Sequence, residues 1–144
     1  VIAIDTNIAV YAHRGDLAEH ARAYEVVNAA LCGSEPIAFP WPVIHEFLSV
    51  VTSPRIFRPA TGISGALEQV RHWLGSPRAL LLHETPEHLT ILEGLCSSGR
   101  VSGPVVHDAR IAALCREHGV RELWTSDRDF SRFPSLRVFN PIVA

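Results

Sequence analysis

Asp5 ends the apolar run Val1-Ile-Ala-Ile4 and is followed at once by Thr6 and Asn7. Asp127 closes a second run, Glu122-Leu-Trp-Thr125, with Ser126 between. Asp108 lies near the start of a helix opened by Pro104, and Glu46 one turn into a helix opened by Pro42. An acid at the carboxyl end of a buried strand, or at the start of the following helix, faces one edge of a parallel sheet. Four anions on one rim repel each other unless a proton or a cation neutralises them. Such hard oxygen donors select Mg²⁺ or Mn²⁺ over zinc. These ions activate water, orient a phosphodiester and stabilise its leaving oxygen. Thr6, Asn7, Thr125 and Ser126 can orient the carboxylates or their waters.

Taken singly, these acids also have structural uses. Glu46 and Asp108 suit helix N-terminal dipoles, and Asp127 suits a turn. Their shared position at four correct element ends favours a metal-dependent phosphate site.

The elements that must hold this rim follow from pattern. The short, non-alternating run before Asp5 predicts a strand buried on both faces. Asn7 is expected to cap a helix from about Ile8 to Tyr11 or Ala12. A second helix is expected from Leu17 to Leu31, with Asp16 as N-cap, Glu19 completing a capping box and Gly33 as stop. Ile37 to Phe39 reads as a strand, Val43 to Val51 as a helix, and Ser53 to Gly65 as a loop. Ala66 to Leu74 resumes helix, Ala79 to Leu82 is a strand, and Glu87 to Cys96 is a helix after Pro86. A loop, Ser97 to Gly103, leads to a helix from Val105 to His118 closed by Gly119. Glu122 to Thr125 and Arg137 to Phe139 complete the strands, with a loop or single turn from Arg128 to Pro134 between them. Strands alternating with helices imply right-handed crossovers and helices on both faces of a parallel sheet.

The chain of 144 residues fits one α/β domain, 1–144, with a core that needs no staple. With 47% hydrophobic and 19% charged residues it reads as globular, and no apolar run approaches the roughly 20 residues of a membrane span. The N-terminal run is broken by Asp5 and has no basic flank, unlike a signal peptide, so a cytoplasmic protein is expected. Three cysteines, Cys32, Cys96 and Cys115, read as buried free thiols. All 13 basic residues are arginine, but a net charge of −2 creates no general attraction for nucleic acid. Arg55, Arg58, Arg100, Arg128 and Arg132 fall in loops around the rim, where they can meet phosphates.

Ile-Asp-Thr-Asn at 4–7, helical Glu46, His-Asp-Ala at 107–109 and Trp-Thr-Ser-Asp-Arg-Asp-Phe at 124–130 together resemble the PIN domain. More narrowly, they resemble the VapC ribonuclease toxins of bacterial toxin–antitoxin modules. The resemblance runs the length of the chain, and Thr-x-Asp-x-Asp-Phe after a strand is its most specific part. It implies a three-layer α/β/α domain with a mainly parallel sheet and an Mg²⁺- or Mn²⁺-dependent endoribonuclease site. Asp5, Glu46, Asp108 and Asp127 would form the acidic quartet, with Asp129 as a fifth member beside Asp5, Asp108 and Asp127 at the metal. Thr6 or Asn7 and Ser126 would support them. Water-driven hydrolysis would leave a 5′-phosphate and a 3′-hydroxyl on a structured RNA, such as a tRNA or rRNA loop. A homodimer and a cognate antitoxin are implied too, the antitoxin lying on the helices after Asp16 and Pro42.

Other chemistries find less support. His45-Glu46-Phe-Leu-Ser49 lacks the second histidine of the zinc-protease helix HExxH. No glycine-rich phosphate loop or nucleophile elbow is present. An aspartyl-phosphate phosphatase needs a second acid two residues after the first, where Asn7 stands. A non-catalytic PIN-like scaffold for RNA or protein is the remaining alternative. His107, beside Asp108, is the histidine to examine for a site role.

Overall fold

A computed structural model describes residues 1–143; the last residue of the expected domain, 144, lies outside them. The chain order is β1 (Ile2–Ile4), α1 (Thr6–His13), α2 (His20–Leu31), β2 (Ile37–Pro40), α3 (Trp41–Val51) and α4 (Ile63–Leu74). Then follow β3 (Ala79–Leu82), α5 (His88–Ser98), α6 (Val106–Glu117), β4 (Glu122–Trp124) and β5 (Val138–Phe139). A 3₁₀ turn, Gly103–Val105, leads into α6, and another, Arg128–Arg132, follows β4.

The five strands form one sheet in the order β3-β2-β1-β4-β5, every pair parallel. Register aligns Ala3 with Ala38 on one side and with Leu123 on the other. Alternate strand residues face opposite layers. Ile4, Ile37 and Phe39 join α1 to α4 through Ile8, Val27, Phe47 and Trp73. Ala3, Ala38, Leu82 and Leu123 join α5 and α6 through Leu95, Ile111 and Leu114. β1 and β2 lack polar alternation because both their faces are covered, whereas edge strand β3 leaves Leu80 exposed; the result is the expected three-layer α/β/α arrangement. Successive crossovers run outward from β1 in one direction until β4 returns to its other side. The β1–β4 junction is therefore the switch point where such sheets open a crevice at their carboxyl edge.

Several boundaries differ from the sequence reading for local reasons. Asp5, not Asn7, caps α1: its backbone is extended and its side chain accepts from the Thr6 amide at 2.8 Å. Asp16 caps nothing, since Arg14 grips it with two hydrogen bonds of 2.9 and 2.8 Å. With that carboxylate engaged, α2 starts at His20, and Glu19 makes no side-chain cap. Gly62 serves as N-cap of α4, so this helix gains a turn from the expected loop. Phe57, inside the Ser53 to Gly65 stretch, packs into the core under the Arg14 guanidinium, 4.3 Å from the ring centre, while Ile56 stays exposed. The cysteines are free, but only Cys115 is buried; Cys32 is exposed and Cys96 half-buried. Burial pushes the Cys115 thiol up to about 12, which leaves it a small core hydrophobe. No helix among the described residues is long and apolar enough to cross a membrane.

Candidate metal-dependent active site

Asp5 is 8% exposed, and each of its oxygens has a defined task. Oδ1 accepts from the Thr6 amide, and Oδ2 accepts from the Thr125 hydroxyl at 2.8 Å and from Asn7 Nδ2 at 3.2 Å. Thr125, 1% exposed at the end of β4, is the hub. Its Oγ1 also accepts from Asn7 Nδ2 at 3.1 Å and from the Asp127 amide at 3.0 Å. Asn7 Oδ1 in turn accepts from the Ser126 amide at 3.1 Å. Two chain segments some 120 positions apart are thus locked together by one amide and one hydroxyl side chain. Asp127 caps the following 3₁₀ turn through the Asp129 amide at 2.8 Å, which fixes the direction of the Asp127 carboxylate.

The other two acids arrive on helices. Pro42, in the first turn of α3, forces the helix to start at the sheet edge, so Glu46 emerges near that edge. The 3₁₀ turn does the same for α6 and puts Asp108 in its first turn. Asp5, Glu46, Asp108 and Asp127 line one cavity of about 570 Å³ together with Thr6, Asn7 and His107. Asp108, Asp127 and Asp129 each offer a carboxylate oxygen, and these lie within 4.8 Å of one another. Asp129 itself is exposed.

Electrostatics record the crowding. Burial pushes the Asp5 carboxyl above its ordinary range. The Thr125 and Thr6 hydrogen bonds pull it down, and the charges of Glu46 and Asp127 push it up again. Asp108 is driven from 3.8 to about 6, first by desolvation and then by Asp127, Asp5, Asp129 and Glu46. Hard oxygen donors this close, with the Asp5 and Asp108 carboxyls both pushed upward, fit a hydrated divalent cation.

The cavity also contains residues that the sequence reading did not select: Tyr11, His45, Ser49 and Arg110. Helical spacing from residues already chosen carries that signal, since Tyr11 follows Asn7 by four residues and Ser49 follows Glu46 by three. Arg110 is the only arginine among the cavity's lining residues, and it pairs with Glu84 at 3.3 Å. Arg55, Arg58, Arg100, Arg128 and Arg132 are exposed, and none lines the cavity. Arg128 borders the adjoining groove that shares Asp127.

The fold and the carboxylate rim define a class, and comparison with known proteins agrees: the PIN-domain family matches residues 2–136, so the chain belongs to that family. Its relatives narrow this further, to the VapC ribonucleases. Ribonuclease VapC43 of Mycobacterium tuberculosis is 33% identical over 142 residues, spanning 99% of this chain and 96% of the relative. Ribonuclease VapC25 of the same organism is 33% identical over 138 residues, 96% of each chain. Among solved structures, M. tuberculosis VapC20, described as a sarcin-ricin loop cleaving toxin, superposes with a TM-score of 0.66 at 19% identity, covering 91% of this chain and 93% of that one. A DNA-bound VapBC from Salmonella typhimurium gives 0.65 at 16% identity, covering 97% of each chain.

Proposed function

We propose that this chain is a metal-dependent endoribonuclease toxin that cuts structured RNA in the cytoplasm and is silenced by a cognate antitoxin. One observation carries the reading: in a PIN-domain chain, the oxygens of Asp108, Asp127 and Asp129 converge, and Asp108 and Asp127 line an open cavity with the buried Asp5. In this reading Asp5, Asp108, Asp127 and Asp129 hold the ion. A bound Mg²⁺ or Mn²⁺ neutralises the acids, activates a water and stabilises the leaving oxygen of a phosphodiester. Thr125 and Asn7 keep the Asp5 carboxylate ionised and oriented. Glu46 is exposed and stands outside the close carboxylate cluster, so its carboxylate is suited to accept a proton from the attacking water. The cleft is open, and single-stranded loops are the parts of a structured RNA whose backbone can enter it; the loop-cleaving VapC20 supports this choice of substrate, a tRNA or rRNA loop. Antitoxin control is supported by solved VapBC complexes of the same fold, and a homodimer belongs to the same reading.

The test is incubation of the purified protein with total bacterial RNA in Mg²⁺, Mn²⁺ or EDTA, beside Asp5→Asn and Asp108→Asn, followed by mapping of 5′ ends. Discrete 5′-phosphate ends that require both metal and the two aspartates are expected. Cleavage that survives EDTA and both substitutions, or no cleavage by the parent protein, would remove the catalytic reading and leave a non-catalytic scaffold.

A further inference from the structure

Metal-assisted hydrolysis leaves the His45 side of the acidic cavity unused, and beyond that imidazole, outside the cavity lining, lies an exposed indole. Trp41 opens α3 at the carboxyl end of β2, the strand that pairs with β1. Its indole is 37% exposed and lies against the His45 imidazole, ring centres 5.7 Å apart and planes 29° from parallel. His45 is exposed and lines the cavity beside Glu46 and Ser49. Trp41, His45 and Ser49 follow one another at four-residue spacing, so a single stripe of α3 leads from the indole to the acids. The other two indoles have structural work: Trp73 is buried against Phe39 and Phe47, and Trp124 donates to Glu122 at 3.0 Å. Trp41 belongs to neither of the two buried core clusters.

The geometry points to a nucleotide-stacking subsite: Trp41 and His45 form a platform for the base next to the scissile phosphate of a single-stranded RNA segment. The inference rests on the ribonuclease reading above. A nucleotide held by its phosphate among the carboxylates brings its base to the walls of the same cavity. Every base offers a flat π-face, and an exposed indole or imidazole is the surface that binds it. The pair thus supplies what the acids cannot, an attraction for the substrate that carries no charge penalty. Preference for a cut site would then come partly from how readily the flanking base leaves its own stack.

A platform acts on bound substrate, so its loss moves KM and spares kcat. Base stacking of this kind contributes about 1–3 kcal/mol, equivalent to about 5- to 160-fold in affinity. The substrate is a short single strand spanning a cut mapped with the parent protein, made intact and with one abasic nucleotide on either side of the cut. Trp41→Ala should raise KM for the intact strand by about 5- to 160-fold, and Trp41→Phe should restore most of it. One abasic position should weaken the parent protein equally, while Trp41→Ala shows no further loss on that strand. Unchanged KM in Trp41→Ala, or losses that multiply with every abasic position, would overturn the platform. Unchanged KM together with altered sedimentation would assign the surface to a second copy of the chain instead. Should the parent protein cut no RNA, the nuclease reading fails separately. Fluorescence then decides the platform: with Mg²⁺ present, short oligoadenylate should quench the parent protein and not Trp41→Phe, and no quenching overturns it.

Discussion

Asp108→Asn should make the metal-free protein more stable while destroying its capacity to be stabilised by Mg²⁺. The Asp108 carboxyl sits at about 6 because part of its water is gone and, next, because four other acids crowd it. The rise from 3.8 corresponds to about 3 kcal/mol for a fully buried group. Asp108 is only half-buried, and solvent and salt screen it, so about 1–2 kcal/mol is the usable figure. A carboxyl that holds its proton more tightly when folded contributes stability that is complete below about pH 4 and lost as pH rises through about 6. At about pH 8 the folded, metal-free protein therefore bears the whole repulsion. In EDTA at that pH, Asp108→Asn should raise Tm by about 3–6 °C, taking about 3 °C per kcal/mol for a domain of this size. The gain should vanish near pH 4, where the parent carboxyl is protonated whether folded or not. Adding Mg²⁺ at about 100 times its Kd should stabilise the parent by about 2.7 kcal/mol and the variant far less, reversing their order. The assay is differential scanning fluorimetry across pH, with EDTA or Mg²⁺. A variant that melts lower than the parent in EDTA at both pH values would refute the idea that these carboxylates strain one another, and with it the physical case for a cation.

Two further substitutions probe the supports of the site. Thr125→Val removes the hydroxyl that donates to Asp5 and accepts from the Asp127 amide; unfolding in urea should show a loss of about 2–3 kcal/mol, with Thr125→Ser near the parent. Because that hydroxyl holds the Asp5 carboxyl down, the loss should be greater at about pH 8 than at about pH 5. Arg110→Gln breaks only a half-exposed pair with Glu84, so Tm should move by less than about 2 °C. The same change should raise KM for RNA and flatten its logarithmic salt dependence by about one unit if Arg110 meets a phosphate; an unaltered salt slope would exclude it from the RNA path.

The sheet and most helices were legible from sequence because unbroken apolar runs such as Ile37 to Phe39 have few other uses. Strand ends, in turn, gave away Asp5 and Asp127, and prolines gave away the starts of α3 and α6. What pattern reading missed lies in competition between side chains. Asp16 has the composition of a helix cap, and nothing local reveals that Arg14 holds it instead. Asp5 was read for its chemistry, yet it also caps α1, a local use that pattern reading gave to Asn7. Thr125 was legible as a polar neighbour but not as the hub, because its partners Asp5 and Asn7 are near the other end of the chain. The arginines were weighed by loop composition, whereas Arg110 faces the cavity from inside a helix.

The bond from Thr125 to Asp5 also sets when the acidic rim can first exist. Asp5 precedes Asp127 by some 120 positions, and until β4 docks, the central strand has a bare edge and the cluster lacks Asp127 and Asp129. A chain still being made, or one cut short before residue 122, therefore cannot assemble that cluster. The complete rim is a property of the finished sheet, and no partly built state carries it.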